Sequence, residues 1–284
     1  MQTTTHSAKS GLNEMQILGK IARLVSRTIR LYGSIMRRLQ AGEPRGFCIA
    51  CNRPVLAFLP FGGGSKAVPP LMKAAAVIGS DVDHFSCPKC WAHDRERHLL
   101  LYFTKLDFKW FIANSRVLHL APEPALKRFI ESAMPTQYVR GDLFPASADV
   151  QRVDLCKMSF DDGSFDLVIA NHVLEHVDDD VQALKEIFRI LRPGGMAVLQ
   201  TPYASALSKT ICDPAVSNPK LRLELYGQDD HVRLYGSDIF ALLTSAGFVS
   251  KVGLHDDLLP EIDFRIYGVN PLEPFMLFSK PLAS

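Results

Sequence analysis

Residues 165–177 read FDLVIANHVLEHV, and residues 189–202 read RILRPGGMAVLQTP. In the first stretch an unbroken apolar run stops at Asn171 and His172. In the second, an amphipathic pattern ends at Pro193-Gly194-Gly195 and another apolar run follows. Apolar runs without polar alternation fit strands buried on both faces, as in a parallel sheet covered by helices. Ligands of such sheets bind at the carboxyl ends of the strands, where the strand order reverses. The polar residues at those ends are therefore the functional candidates.

Working outward, strands are expected near 116–121, 136–140, 165–171, 195–201, 247–254 and 273–279, and helices near 99–112, 124–133, 179–192 and 237–246. The alternation predicts an α/β fold with a doubly wound, Rossmann-like sheet over residues 99–284. Two further segments precede it, a basic N-terminal stretch over 1–45 and a cysteine-containing module over 46–98.

The earliest strand end reads VLHLAPEPAL over 117–126, with Glu123 between two prolines and no glycine in the turn. The prolines stiffen it in advance. About 20 residues on, YVRGDL ends at Asp142 and Leu143, where an acid can accept both hydroxyls of a ribose. RVDLC places Asp154 to receive an exocyclic adenine amine, with the Leu155 backbone against the ring edge. Asp166 reads as structural, Cys156 and Cys212 as core or loop thiols, and Asp178–Asp180 as a solvated helix start.

The run from FDLVIANHVLEHV through RILRPGGMAVLQTP, with the later HVRLYGSDIFALLTSAGF, resembles a class I S-adenosylmethionine-dependent methyltransferase of the type 11 group over about residues 115–280. The usual first motif there is VLDLGCGTG; here His119 stands for the acid, Ala121 for the first glycine and Glu123 for a later one. S-adenosylmethionine has no phosphate for a glycine loop to cradle. Its methionine end carries an ammonium, which Glu123 can bind by a charge-assisted contact. The resemblance thus implies a cofactor site of His119, Ala121, Pro122, Glu123, Asp142, Leu143, Asp154, Leu155 and Asn171, with Asn171 and His172 near the transferred methyl. His172, His176 and His231 are the candidate general bases, with Tyr203 a weaker one. An inactive scaffold that kept the fold is the alternative from another class.

Cys48-x2-Cys51 and Cys87-x2-Cys90 are two matched pairs, the pattern of a closed, structural tetrathiolate zinc site. His84, His93 and His98 are nearby substitute ligands. This segment resembles the zinc-binding N-terminus of some sugar and ribosomal-RNA methyltransferases, so RNA methylation with the zinc module as docking piece is a second enzymatic reading. Charge opposes it. Residues 1–45 hold eight Lys/Arg against two acids, a balance of +6, and the overall +2 leaves −4 for the remainder. No extended nucleic-acid surface follows from that. The favoured acceptor is a small molecule or a sugar- or lipid-linked compound.

Apolar residues recur at steps of three and four from Ile17 to Leu39, with Asn13 and Gln16 as a capping box. This predicts a basic amphipathic helix over 13–40 that packs on the protein, rests on an anionic membrane surface, or serves as a targeting peptide. With no secretory layout, no spanning run and paired rather than scaffold-like cysteines, the expected location is cytoplasmic, with membrane association through that helix as an added expectation. The oligomeric state is open.

Overall fold

The computed structural model describes residues 45–282. The helix expected over 13–40 lies outside them. The described chain opens with a hairpin, β1 (Gly46–Cys48) and β2 (Arg53–Val55), and continues through α1 (Pro70–Ala74) and β3 (Val77–Ile78) to α2 (Asp94–Lys105) and α3 (Phe108–Ala113). Then come β4 (Arg116–Leu120), α4 (Pro124–Ala133), β5 (Gln137–Asp142), β6 (Gln151–Arg152), β7 (Phe165–Asn171), α5 (Asp180–Ile190), β8 (Leu191–Gln200) and β9 (Tyr203–Ala204). The last elements are α6 (Pro219–Tyr226), β10 (Tyr235–Gly236), α7 (Ile239–Ser245), β11 (Val249–Ser250), α8 (His255–Leu258), α9 (Phe264–Tyr267) and β12 (Leu277–Ser279).

The central sheet has seven strands in the order β11-β12-β8-β7-β4-β5-β6. β6, β5, β4, β7 and β8 pair in parallel, and β12 and β11 add an antiparallel edge. Strand order reverses between β4 and β7, so the crevice where this architecture binds ligands lies at their carboxyl ends. All seven residues of β7 are buried. Their side chains divide by the pleat: Val168 and Ala170 meet Leu184 and Ile187 of α5 and Ile239 of α7, while Leu167 and Ile169 join Leu100 and Phe103 of α2 and Ile130 of α4. Helices cover both faces, the doubly wound arrangement expected from the uninterrupted apolar runs.

Local details depart from the expected boundaries. The helix expected over 99–112 is two, α2 and α3, separated at Asp107, whose left-handed backbone (φ 53°) a continuing helix cannot contain. β8 starts at Leu191 and absorbs the Pro-Gly-Gly stretch, with an irregular register opposite Phe165–Leu167. Asp180 is not solvated: Tyr235 Oη donates to it at 2.8 Å and Arg233 pairs with it. Asp166 is structural as expected, tying Arg116 and Arg192 together.

The described residues, 45–282, belong to one compact unit that includes both the cysteine module and the sheet. β3 pairs with β9, which continues from β8 beyond the strand end. Arg97 joins the module to the sheet's helical layer. Fully buried, it donates from Nε to the Tyr267 carbonyl, from Nη1 to Phe85 and Ala92, and from Nη2 to His84 and Gly268. Every guanidinium N–H can thus be engaged, which is how a buried cation is tolerated. Its face lies 4.0 Å from the Phe58 ring centroid. Among the described residues no helix is long and apolar enough to cross a membrane.

Candidate active site

β4 carries the chain to Leu120, and Ala121 then turns with a left-handed backbone, φ 46°. Its N–H donates to the Gly141 carbonyl at 2.8 Å, holding the turn against β5. Glu123 is the N-cap residue of α4, with Pro124 at the first helical position. On the other side of the crevice β7 ends at Asn171, and His172 is again left-handed, φ 55°. Two non-glycine residues in this sparsely populated region face each other across the switch point, a clustering typical of functional sites.

Glu123 bridges the crevice. Its Oε1 accepts from Asn171 Nδ2 at 2.6 Å, and its Oε2 lies 3.2 Å from His119 Nε2. His119 is wholly buried and its Nδ1 is 2.9 Å from Tyr138 Oη, so it supports Glu123 from beneath and does not line the crevice itself. Arg95 Nε stands 4.0 Å from Glu123 Oε1 and has no hydrogen-bond partner, and Asn171 Oδ1 is buried without one. Unmatched polar groups of both signs therefore converge on this end of the crevice. Farther along the strand ends, Asp142 and Asp154 sit near the surface, each accepting from the backbone N–H two residues on, of Phe144 and Cys156. Leu143 is exposed and the Leu155 side chain is buried.

Beside the crevice lies a cavity of about 960 Å³. Arg95 and His172 stand at its junction with the strand ends, and Pro202, Tyr226, Gln228 and His231 form one wall. The opposite wall, Phe61–Ser65, Met72, Val77 and Gly79, comes from the insertion between the cysteine pairs. Gly79 permits this approach, because a Cβ there would stand 2.9 Å from Pro202 Cβ. Glu123, Asp142 and Asp154 do not line the cavity, so the strand-end crevice is a second compartment beside it.

The three candidate histidines have different environments. His172 Nε2 is 3.0 Å from Glu273 Oε1, and its Nδ1 is 3.4 Å from Glu175 Oε1. Burial opposes its charge, but the two carboxylates outweigh burial and hold its pKa up at about 9. They are in turn held below the usual range against their own burial, Glu175 at about 2. At neutral pH His172 is an imidazolium with no lone pair to offer. His231 is the opposite case: burial pushes its pKa down. Its Nδ1 donates to the Tyr226 carbonyl at 3.0 Å, which leaves Nε2 as the unprotonated nitrogen. His176 is partly exposed and its Nδ1 is 3.3 Å from Asp230. Tyr203 packs edge-on to Phe240, and burial raises its pKa.

The four cysteines converge as their spacing predicts. Cys48 Sγ lies 3.7 Å from Cys90 Sγ, Cys51 Sγ lies 4.0 Å from Cys87 Sγ, and all four fall within 4.8 Å of one another. A tetrahedral metal at about 2.3 Å from each sulfur needs separations of about 3.8 Å. The Lys89 N–H points at Cys87 Sγ, 3.4 Å away. The expected substitutes stay apart: His84 pairs with Asp81, His98 with His255, and the His93 backbone N–H donates to Glu96.

Sequence reasoning missed Arg95, Arg97 and Glu96, all in the run DRER that opens α2. Glu96 accepts from the His93 and Ala125 backbone N–H groups, joining the starts of α2 and α4. A charged run at a helix start is ordinarily solvated, so nothing local in the sequence marks this one as buried.

Residues 115–199 match the family model of a methyltransferase domain. A probable S-adenosylmethionine-dependent methyltransferase of Mycolicibacterium smegmatis is 32% identical over 124 residues, 42% of this chain and 44% of that protein. An arsenite methyltransferase of Aquipseudomonas alcaligenes is 27% identical over 139 residues, covering 43% and 38%. The solved structure of an S-adenosylmethionine-dependent methyltransferase from Mesorhizobium loti is 17% identical with a TM-score of 0.44, covering 63% of this chain and 98% of that one. The chain spans less than half the length of these two curated relatives.

Proposed function

We propose that this chain, which carries a methyltransferase domain over residues 115–199, transfers a methyl group from S-adenosylmethionine to a small-molecule or sugar- or lipid-linked acceptor held in the 960 Å³ cavity. The observation that carries this reading is the meeting of Glu123, Asn171 and Arg95 at the strand-order switch, next to that cavity. The cofactor's methionine end presents an ammonium and a carboxylate. Glu123 and the unpartnered Asn171 Oδ1 suit the first, and the Arg95 guanidinium, whose Nε makes no hydrogen bond, suits the second. A carboxylate has about four acceptor sites, so Glu123 retains capacity beyond Asn171 and His119. Asp142 would take the ribose hydroxyls, and Asp154 and the Leu155 backbone the adenine.

S-adenosylmethionine, when bound, supplies a methyl carbon already activated by a sulfonium. The protein's work is then to orient the acceptor and exclude water. His172, fixed as a cation by Glu175 and Glu273, positions and screens charge at the junction of the two compartments. His231 Nε2 is the free lone pair in the acceptor wall. A cavity of this size is within the range of small-molecule sites, and the net −4 of residues 46–284 suits them better than a polyanion.

The four cysteines fit zinc in donor type, number and spacing, and its role would be structural because all four ligands are protein thiolates. The test of the main reading is calorimetric titration with S-adenosylmethionine, followed by mass spectrometry of extracts incubated with enzyme and cofactor. Saturable binding and an acceptor heavier by about one CH₂ support it. A chain that binds no cofactor at millimolar concentration is a scaffold.

A further inference from the structure

The loop carrying His231 is latched onto the segment that follows β7. The Val232 N–H donates to the Glu175 carbonyl at 3.0 Å, and Arg233 Nη2 donates to the carbonyls of Val177 and Asp178, each at 2.7 Å. The latch brings together Glu175, His176 and His231, each offering one ligand atom within 4.8 Å of the others. Glu175 Oε1 is buried, with the His172 ring Nδ1 3.4 Å away as its ion-pair partner, and His231 Nε2 is buried with no hydrogen-bond partner. Their side chains are 1% and 4% exposed as residues. A buried polar atom without a partner is costly, so the His231 lone pair, close to a carboxylate oxygen and a second imidazole, calls for an occupant.

We propose that Glu175, His176 and His231 bind a divalent transition-metal cation in the wall of the cavity. The surrounding contacts are those metal ligands ordinarily have. His231 Nδ1 donates to the Tyr226 carbonyl, which fixes the tautomer with Nε2 as the ligating nitrogen. Thr201 Oγ1 donates to Glu175 Oε2 at 3.0 Å, so the ion would take Oε1, whose other neighbour is His172 Nδ1 at 3.4 Å. Asp230 stands 3.3 Å from His176 Nδ1 as that ring's outer partner. Two imidazoles and one carboxylate suit zinc, manganese or iron(II), and three protein ligands leave positions open to an exogenous oxygen. Bonds of about 2.1 Å would hold the three atoms roughly 3.0–3.4 Å apart, closer than the 4.8 Å within which they now lie. Metal ligation is a different use of the His231 lone pair from proton abstraction, and it holds whether or not the chain transfers methyl groups.

The experiment counts metal per chain. Full-length wild type, His176→Ala and Glu175→Gln are equilibrated with excess zinc, dialysed, and analysed by inductively coupled plasma mass spectrometry. The four cysteines are common to all three, so any metal they hold subtracts out. Wild type is expected to retain one equivalent more than either variant. His176 is partly exposed, so its replacement leaves the fold intact and carries the comparison if Glu175→Gln unfolds. Equal metal content in wild type and His176→Ala overturns the proposal. A cobalt(II) difference spectrum between the same two proteins should lack a thiolate charge-transfer band; its presence would assign the lost metal to the cysteines and likewise overturn it.

Discussion

Asn171 at the end of β7 donates from Nδ2 to Oε1 of Glu123 at the start of α4, 2.6 Å across the point where the sheet reverses its strand order. The bond joins the two strands between which this architecture places ligands. It also fixes the carboxylate of a turn without glycine, which Asn171 and His119 hold in place.

Glu123→Gln keeps the shape and removes the charge. It is expected to weaken S-adenosylmethionine binding by about 1.5–3 kcal/mol, the range for a hydrogen bond to a charged group. Calorimetry measures this directly, and an affinity equal to wild type would remove Glu123 from the contact.

Ala121 holds a backbone conformation that costs a non-glycine residue about 1–2 kcal/mol. Glycine relieves this but loses more chain entropy on folding, about 0.5–1 kcal/mol. Ala121→Gly is therefore expected to leave stability unchanged or raise it by up to about 1.5 kcal/mol. Ala121→Val, branched at Cβ, should destabilise by more than that. Urea denaturation of the three proteins decides it, and a large loss in the glycine variant would contradict the strain argument.

His172 gives a pH dependence of known sign. Its folded pKa of about 9 lies above the imidazole reference, so its contribution to stability is complete below about pH 6.5 and is lost as the pH rises to 9. Glu175 and Glu273 are depressed, so theirs is present above the ordinary carboxylate range and lost as pH falls through it. The metal-free chain should therefore melt highest between about pH 5 and 6.5 as far as these three groups decide. His172→Gln should flatten the alkaline limb. Parallel alkaline limbs for the two proteins would show that His172 is not a buried cation.

Arg97→Met should be among the most destabilising single changes, because the carbonyls of His84, Phe85, Ala92, Tyr267 and Gly268 lose their shared donor. Each buried unpaired group costs about 1–3 kcal/mol. Chelation of zinc is expected to lower the melting temperature too, since structural metal binding is folding energy. If Arg97→Met melts like wild type, the guanidinium is not the tie between module and sheet.

The parallel strands were readable because short uninterrupted apolar runs between helical patterns have few alternatives, and the cysteine cluster because two matched pairs suit one tetrahedral ion. What was not readable is set by contacts remote in sequence. The break at Asp107 depends on how α2 and α3 pack against the sheet. Asp180 looks solvated until Arg233 and Tyr235 arrive from 53 and 55 residues away. The cavity wall contributed by Phe61–Ser65 and Gly79 depends on β3 pairing with β9, Val77 with Ala204 and Ile78 with Tyr203. His172, His176 and His231 look alike in sequence, and only their partners separate a cation from two potential ligands.

The central claim is that the cofactor's methionine end is gripped at the β4–β7 crevice. A crystal structure with S-adenosylhomocysteine, which keeps the same ammonium and carboxylate, measures this most directly. The ammonium is predicted to lie within hydrogen-bond distance of a Glu123 carboxylate oxygen, and the carboxylate to pair with Arg95. A ligand bound away from both residues, with Glu123 still held only by Asn171 and His119, would contradict it.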